Sequence, residues 1–172
     1  MVYLDKSLKS LAEKYIMEKQ QLQTQHFTFV SNVKPGRGKN IRAKAAERAK
    51  IPWEDIDKLL RPLTLHYARW ILFDNDTRFI YYASFDTDMD RYIDDAAQVF
   101  AESGVAGFFP DLDGFPDDPA SAGDPEAYRK FLTDNKVESF FQFEGYPGVT
   151  VEEIKKALRV RNAFSGMLDE MQ

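Results

Sequence analysis

Arg69 lies in the middle of Leu63 to Phe85, LTLHYARWILFDNDTRFIYYASF, a stretch whose residue types invite chemistry. If Phe73 pairs with Arg78 across the polar link Asp74 to Thr77, then Ile71 faces Ile80, Arg69 faces Tyr82 and Tyr67 faces Ser84. One face of the pair then carries a guanidinium, two phenols and a hydroxyl. His26, Thr28 and Asn32 join it if the preceding strand lies alongside. A charge inside a sheet is costly when unpaired, so Arg69 must meet an anion, a carboxylate or water. Functionally it would orient a substrate carboxylate or stabilise a peroxide or enolate oxygen, with Tyr67 or Tyr82 donating a proton and His26 as the general-base candidate. Ser84, Asn32 and Thr28 would touch the substrate. The competing structural reading is an ion pair between Arg69 and one of the chain's many acids.

Other sets of residues carry less. His66 falls on the opposite, greasy face with Ala68, Trp70, Leu72, Phe79, Tyr81, Ala83 and Phe85, the place of a satisfied core histidine rather than a ligand. With two histidines and no cysteine, a transition-metal site would need carboxylates to complete it, and no metal is expected. Asp86, Asp88 and Asp90 have a D-x-D-x-D pattern, but Arg91 stands where a calcium loop needs glycine, so helix capping explains them better. Pro35 to Asn40 places Arg37 and Lys39 at a helix start, an arrangement that can cradle a sulfate or phosphate. It lacks the spacing of a nucleotide-hydrolysing loop. The aromatic run Phe140, Phe141, Phe143 and Tyr146 reads first as core and second as the lining of an apolar pocket.

These residues need elements to hold them. Leu4, Leu8, Leu11, Tyr15 and Leu22 form a helical stripe over residues 3–23, broken at Glu18. His26 to Val33 alternates like a half-buried strand and ends at the Pro-Gly turn. A helix over 39–49 and a shorter one over 53–60 lead to the hairpin. Asp86 or Asp88 caps a helix with Met89, Tyr92, Ile93, Ala96 and Phe100 inward, ended by Gly104. Residues 105–109 read as a short apolar strand, 110–125 as an irregular acidic loop, 126–133 as a helix and 139–143 as an aromatic strand. A last helix begins at 149 or 150, with Ile154, Leu158, Phe164 and Leu168 apolar. The result is an α+β chain, ferredoxin-like βαββαβ from about His26 to Phe109 with both helices on one sheet face. An N-terminal helix over 1–24 and a C-terminal αβα extension over 110–172 complete a single domain.

Composition sets outer bounds. At 172 residues the chain is long enough for a real core, and 44% hydrophobic with 14% aromatic content is that of a globular protein. The absence of cysteine excludes disulfides and thiolate sites, and with no signal-peptide pattern it fits a reducing, cytoplasmic setting. No apolar run is long enough to span a bilayer, so no membrane partner is expected. The net charge of −5 hides seven basic residues between Lys34 and Lys50, and thirteen acids against two arginines from Asp74 to Asp124. The acidic total argues for solvated helix faces there and against a nucleic-acid site.

Three segments carry a resemblance: VKPGR at Val33 to Arg37, LHYARW at Leu65 to Trp70 and FIYYASFD at Phe79 to Asp86. In order, over about the first two thirds of the chain, they resemble the dimeric α+β barrel superfamily, and more closely a branch found near or fused to catalase-like and peroxidase-like proteins. The resemblance implies a homodimer with a pocket between the sheet and its partner, for a small apolar or aromatic ligand. It implies an oxidoreductase of peroxidase or monooxygenase type, with or without haem, or an accessory module beside a larger redox enzyme. No haem-ligand motif of those families carries over, although His26 would be the haem-ligand candidate.

Overall fold

The computed structural model describes residues 24–170. The helix expected over 3–23 lies outside the described residues. The protein is mixed α+β, with a three-stranded antiparallel sheet and five α-helices among the described residues. Residues 25–142 form one compact unit, and the described residues from 143 onward belong to a second.

Within 25–142, β1 (Gln25–Asn32), β2 (Leu65–Phe73) and β3 (Arg78–Phe85) lie in the order β1-β3-β2. The hairpin register is the one that alternation predicts, with Phe73 opposite Arg78, Arg69 opposite Tyr82 and Tyr67 opposite Ser84. Its loop is closed by Asp74, Asn75 and Asp76, all at positive φ, a conformation that short polar side chains tolerate. The regular register fails at one place. A bulge between Leu65 and Tyr67 puts Leu65 opposite Phe85 and makes His66 the extra residue.

The helices are α1 (Gly38–Arg48), α2 (Trp53–Leu60), α3 (Met89–Ser103) and α4 (Pro125–Asp134). Asp88 caps α3, its carboxylate accepting the N–H of Arg91 at 2.9 Å, and Gly104 at φ 65° ends it. Tyr92, Ile93, Ala96, Ala97 and Phe100 recur at helical spacing and are buried. They meet the sheet face formed by Phe27, Phe29, Phe79, Tyr81, Ala83 and Phe85, all buried. Phe85 and Tyr92 stack with ring centres 3.6 Å apart, and the hydroxyls of Tyr81 and Tyr92 are hydrogen-bonded inside this core.

Two expected strands are absent. Residues 105–109 form a turn that runs into a 3-10 segment, Phe109–Asp111. Gly104 turns the chain at once, and the apolar run is buried as a plug, Phe108 against Trp70 and Phe109 against Phe29, Phe100, Tyr128 and Phe131. A short apolar run has no periodicity to distinguish these outcomes. The outer edge of β1 is satisfied by pieces of two loops instead. The N–H of Asp113 donates to the Asn32 carbonyl at 2.8 Å, and that of Val137 donates to the Thr28 carbonyl at 2.8 Å. The other missing strand is 139–143, which is irregular, with Phe140, Phe141, Phe143 and Tyr146 all exposed rather than in a core.

In the second unit, α5 (Val151–Glu170) is the described helix, and Ile154, Leu158 and Phe164 are 40%, 43% and 56% exposed. Among the described residues no helix is long and apolar enough to cross a membrane.

Candidate functional site

Because side chains alternate along a strand, the face of the sheet turned away from the core carries the even positions of β1 and β3 and the odd positions of β2. The ladders place them in rows: His26, Ser84, Tyr67; then Thr28, Tyr82, Arg69; then Val30, Ile80, Ile71; then Asn32, Arg78, Phe73. His26, Thr28, Asn32, Tyr67, Arg69, Tyr82 and Ser84 therefore share one face, polar at one end and aliphatic in its middle.

Nδ1 of His26 lies 2.7 Å from the Tyr82 hydroxyl, and the two rings stack at 6.0 Å. The Tyr67 and Tyr82 rings are 6.3 Å apart. Arg69 is exposed, and no carboxylate among the described residues pairs with it. Ser84 is buried, whereas Tyr67 is 52% exposed. At the far end Arg78 lies over the Phe73 ring at 4.9 Å, and with Asn32, Asp113 and Asn135 it borders a polar cleft of about 370 Å³. The arrangement offers a cation for an anionic group and a hydroxyl–imidazole pair able to pass a proton.

Arg37 and Lys39 stand elsewhere, at the start of α1. Arg37 Nε is 3.9 Å from an oxygen of the buried Asp111, and Lys39 is exposed. Asp76 from the hairpin loop packs against that helix start, where a Cβ on Gly38 would sit 2.6 Å from the Asp76 Cβ. Arg42 Nε donates to Asp76 Oδ2 at 2.5 Å, and its bond holds the Asp76 carboxyl below the usual carboxylate range. Lys34 pairs with Asp117 at 2.7 Å, Lys44 with Asp111 at 2.8 Å and Lys50 with Glu47 at 2.6 Å. The chain's own acids thus neutralise most of the basic run.

His66 Nε2 lies 2.5 Å from Asp86 Oδ1, both side chains largely buried. Among the described residues no group of three or more His, Asp or Glu side chains is placed to hold a metal ion.

Arg48 and Trp70 are the pair that sequence reading missed. The Arg48 guanidinium sits 4.2 Å from the centre of the Trp70 ring and 5.3 Å from that of Phe108. Helical spacing puts Ile41, Arg42, Ala45 and Arg48 on one side of α1, but only the fold brings β2 beneath them.

The protein is thus a mixed α+β chain with one sheet face packed and the other carrying a polar cluster. No family model matches it, and neither does any curated protein or solved structure.

Proposed function

We propose that the protein binds a small anionic or enolisable molecule on the sheet face carrying Tyr67, Arg69, Tyr82, Ser84 and His26, and that a second copy of the chain closes this face in the manner of a dimeric α+β barrel. The observation that carries the reading is Arg69: an exposed mid-strand guanidinium with no carboxylate partner among the described residues, beside a hydroxyl already bonded to an imidazole. An acid partner would have made this arrangement structural.

In this reading Arg69 orients a carboxylate or an oxygen that becomes negative, and Tyr82 gives or takes a proton with His26 as its relay. Thr28 and Asn32 line the approach, and the aliphatic row Val30, Ile80, Ile71 receives the apolar body of the ligand. The extension to oxidoreductase chemistry rests on the resemblance alone. Haem is not part of this reading: His26 engages Tyr82 and His66 engages Asp86, each through one ring nitrogen. No step is assigned to it.

The exposed aromatics Phe140 and Phe141 favour a second reading, an accessory module that docks on a larger redox enzyme. Three measurements separate the two: molecular mass in solution, visible absorption of the purified protein, and calorimetric titration with short 3-oxo carboxylic acids, which are enolisable and carry no flat ring, before and after Arg69→Met. A dimer whose carboxylate binding is lost in the variant supports the pocket. A monomer that binds none of them supports the module.

A further inference from the structure

A second concave region lies at the other side of β2, where Trp70 and Leu72 turn towards α1. Ile41, Arg42, Ala45 and Arg48 form one wall, and Trp70, Leu72, Phe79 and Phe108 form the other. The cleft holds about 400 Å³, at the small end of the range of about 300–1,000 Å³ in which small-molecule sites fall. Its walls are mainly apolar, and its charge can be counted. Arg42 is committed to Asp76 by a forked pair of bonds. Arg48 has no carboxylate partner and no hydrogen-bond acceptor among the described residues. Burial pushes its guanidinium down to about 10, so it remains charged at neutral pH.

Stacking on Trp70 and Phe108 stabilises the cation from its faces, while the described residues supply no acceptor for its N–H groups. The Nε1–H of Trp70 is buried beside it with no acceptor among the described residues. A surplus of one positive charge among apolar walls suits an anion of one charge. A dianion such as phosphate would keep a charge uncompensated in an apolar setting. The planar guanidinium fork matches a carboxylate, and the ring faces around it match a flat apolar body.

We propose that this cleft binds a small monocarboxylic acid with a flat apolar body, its carboxylate held by Arg48. The site is independent of the sheet-face reading, because Arg69 and Trp70 are consecutive on β2 and point to opposite faces.

The test is titration of the ¹⁵N-labelled protein with benzoate, benzamide and inorganic phosphate, followed at the Trp70 indole N–H resonance. The chain has two tryptophans, and Trp53→Phe assigns the signal, Trp53 being 78% exposed. Benzoate is expected to shift Trp70 saturably, with benzamide and phosphate at least roughly tenfold weaker. Arg48→Met, which keeps an apolar stem over the rings, is expected to weaken benzoate by at least about tenfold, and Arg91→Met, at an exposed arginine of α3 paired with Asp95, to leave it unchanged. Ala45→Phe fills the cleft from an exposed helix position and is expected to abolish the shift without altering the melting temperature, which covers the case of a misfolded Arg48 variant. Equal binding of benzoate and benzamide, full affinity in Arg48→Met or in Ala45→Phe, or no saturable shift at millimolar benzoate each overturns the proposal.

Discussion

His26 and Tyr82 meet diagonally across the ladder between β1 and β3. Tyr82 lies opposite Thr28 and His26 opposite Ser84, yet the imidazole Nδ1 and the phenol oxygen are 2.7 Å apart. The contact ties the two candidate proton carriers into one unit. Tyr82→Phe removes it and should cost about 0.5–1.5 kcal/mol of stability, read as a shift of the urea midpoint. Under the proposed function it also removes any proton-transfer step while leaving ligand affinity nearly intact. A Tyr82→Phe protein that binds and turns over ligand normally removes Tyr82 from the mechanism.

Arg69→Met should change stability by less than about 0.5 kcal/mol, because the guanidinium is exposed and has no carboxylate partner among the described residues. A structural ion pair would show a larger loss, and the same urea titration distinguishes the two.

The Tyr81 and Tyr92 hydroxyls satisfy each other inside the core. Tyr81→Phe or Tyr92→Phe alone strands the remaining hydroxyl and should cost about 1–3 kcal/mol. The double variant should cost less than the sum, since no orphaned hydroxyl is left.

The same pair gives a pH dependence. Burial pushes both phenols above their ordinary value of about 10, so the native state holds protons that the unfolded chain releases. Their contribution is fully present below about pH 10 and is lost as pH rises beyond it towards their native values. The alkaline limb of a stability–pH curve should therefore be steeper in the wild type than in the Tyr81→Phe, Tyr92→Phe double variant.

Gly38→Ala should destabilise by about 1–3 kcal/mol, although alanine ordinarily favours a helix, because the new methyl would lie 2.6 Å from the Asp76 Cβ and 2.7 Å from its carbonyl oxygen. Gly123→Ala, with nothing within 4 Å, is the control and should be nearly neutral. Calorimetric melting of the two variants makes the comparison.

The sequence by itself determined what is periodic or local. Alternation over Leu65–Phe73 and Arg78–Phe85 set the hairpin register and put Tyr67, Arg69, Tyr82 and Ser84 on one face. The Asp88 cap and the Gly104 stop marked α3. Tertiary structure alone decided what has no local signature. The bulge at His66 answers to the pairing of Leu65 with Phe85 and the bond to Asp86, neither of which is encoded next to it. Residues 105–109 became a buried plug because Phe29, Phe100 and Trp70 surround them, and the β1 edge was left to Asp113 and Val137. A run of basic residues says nothing of its partners. Only folding brought Asp76 to Arg42 and Asp111 to Lys44, and left Arg48 over the Trp70 ring without a carboxylate among the described residues. Periodicity specifies which way a side chain points along its own element, whereas its neighbours depend on contacts between residues far apart in the chain.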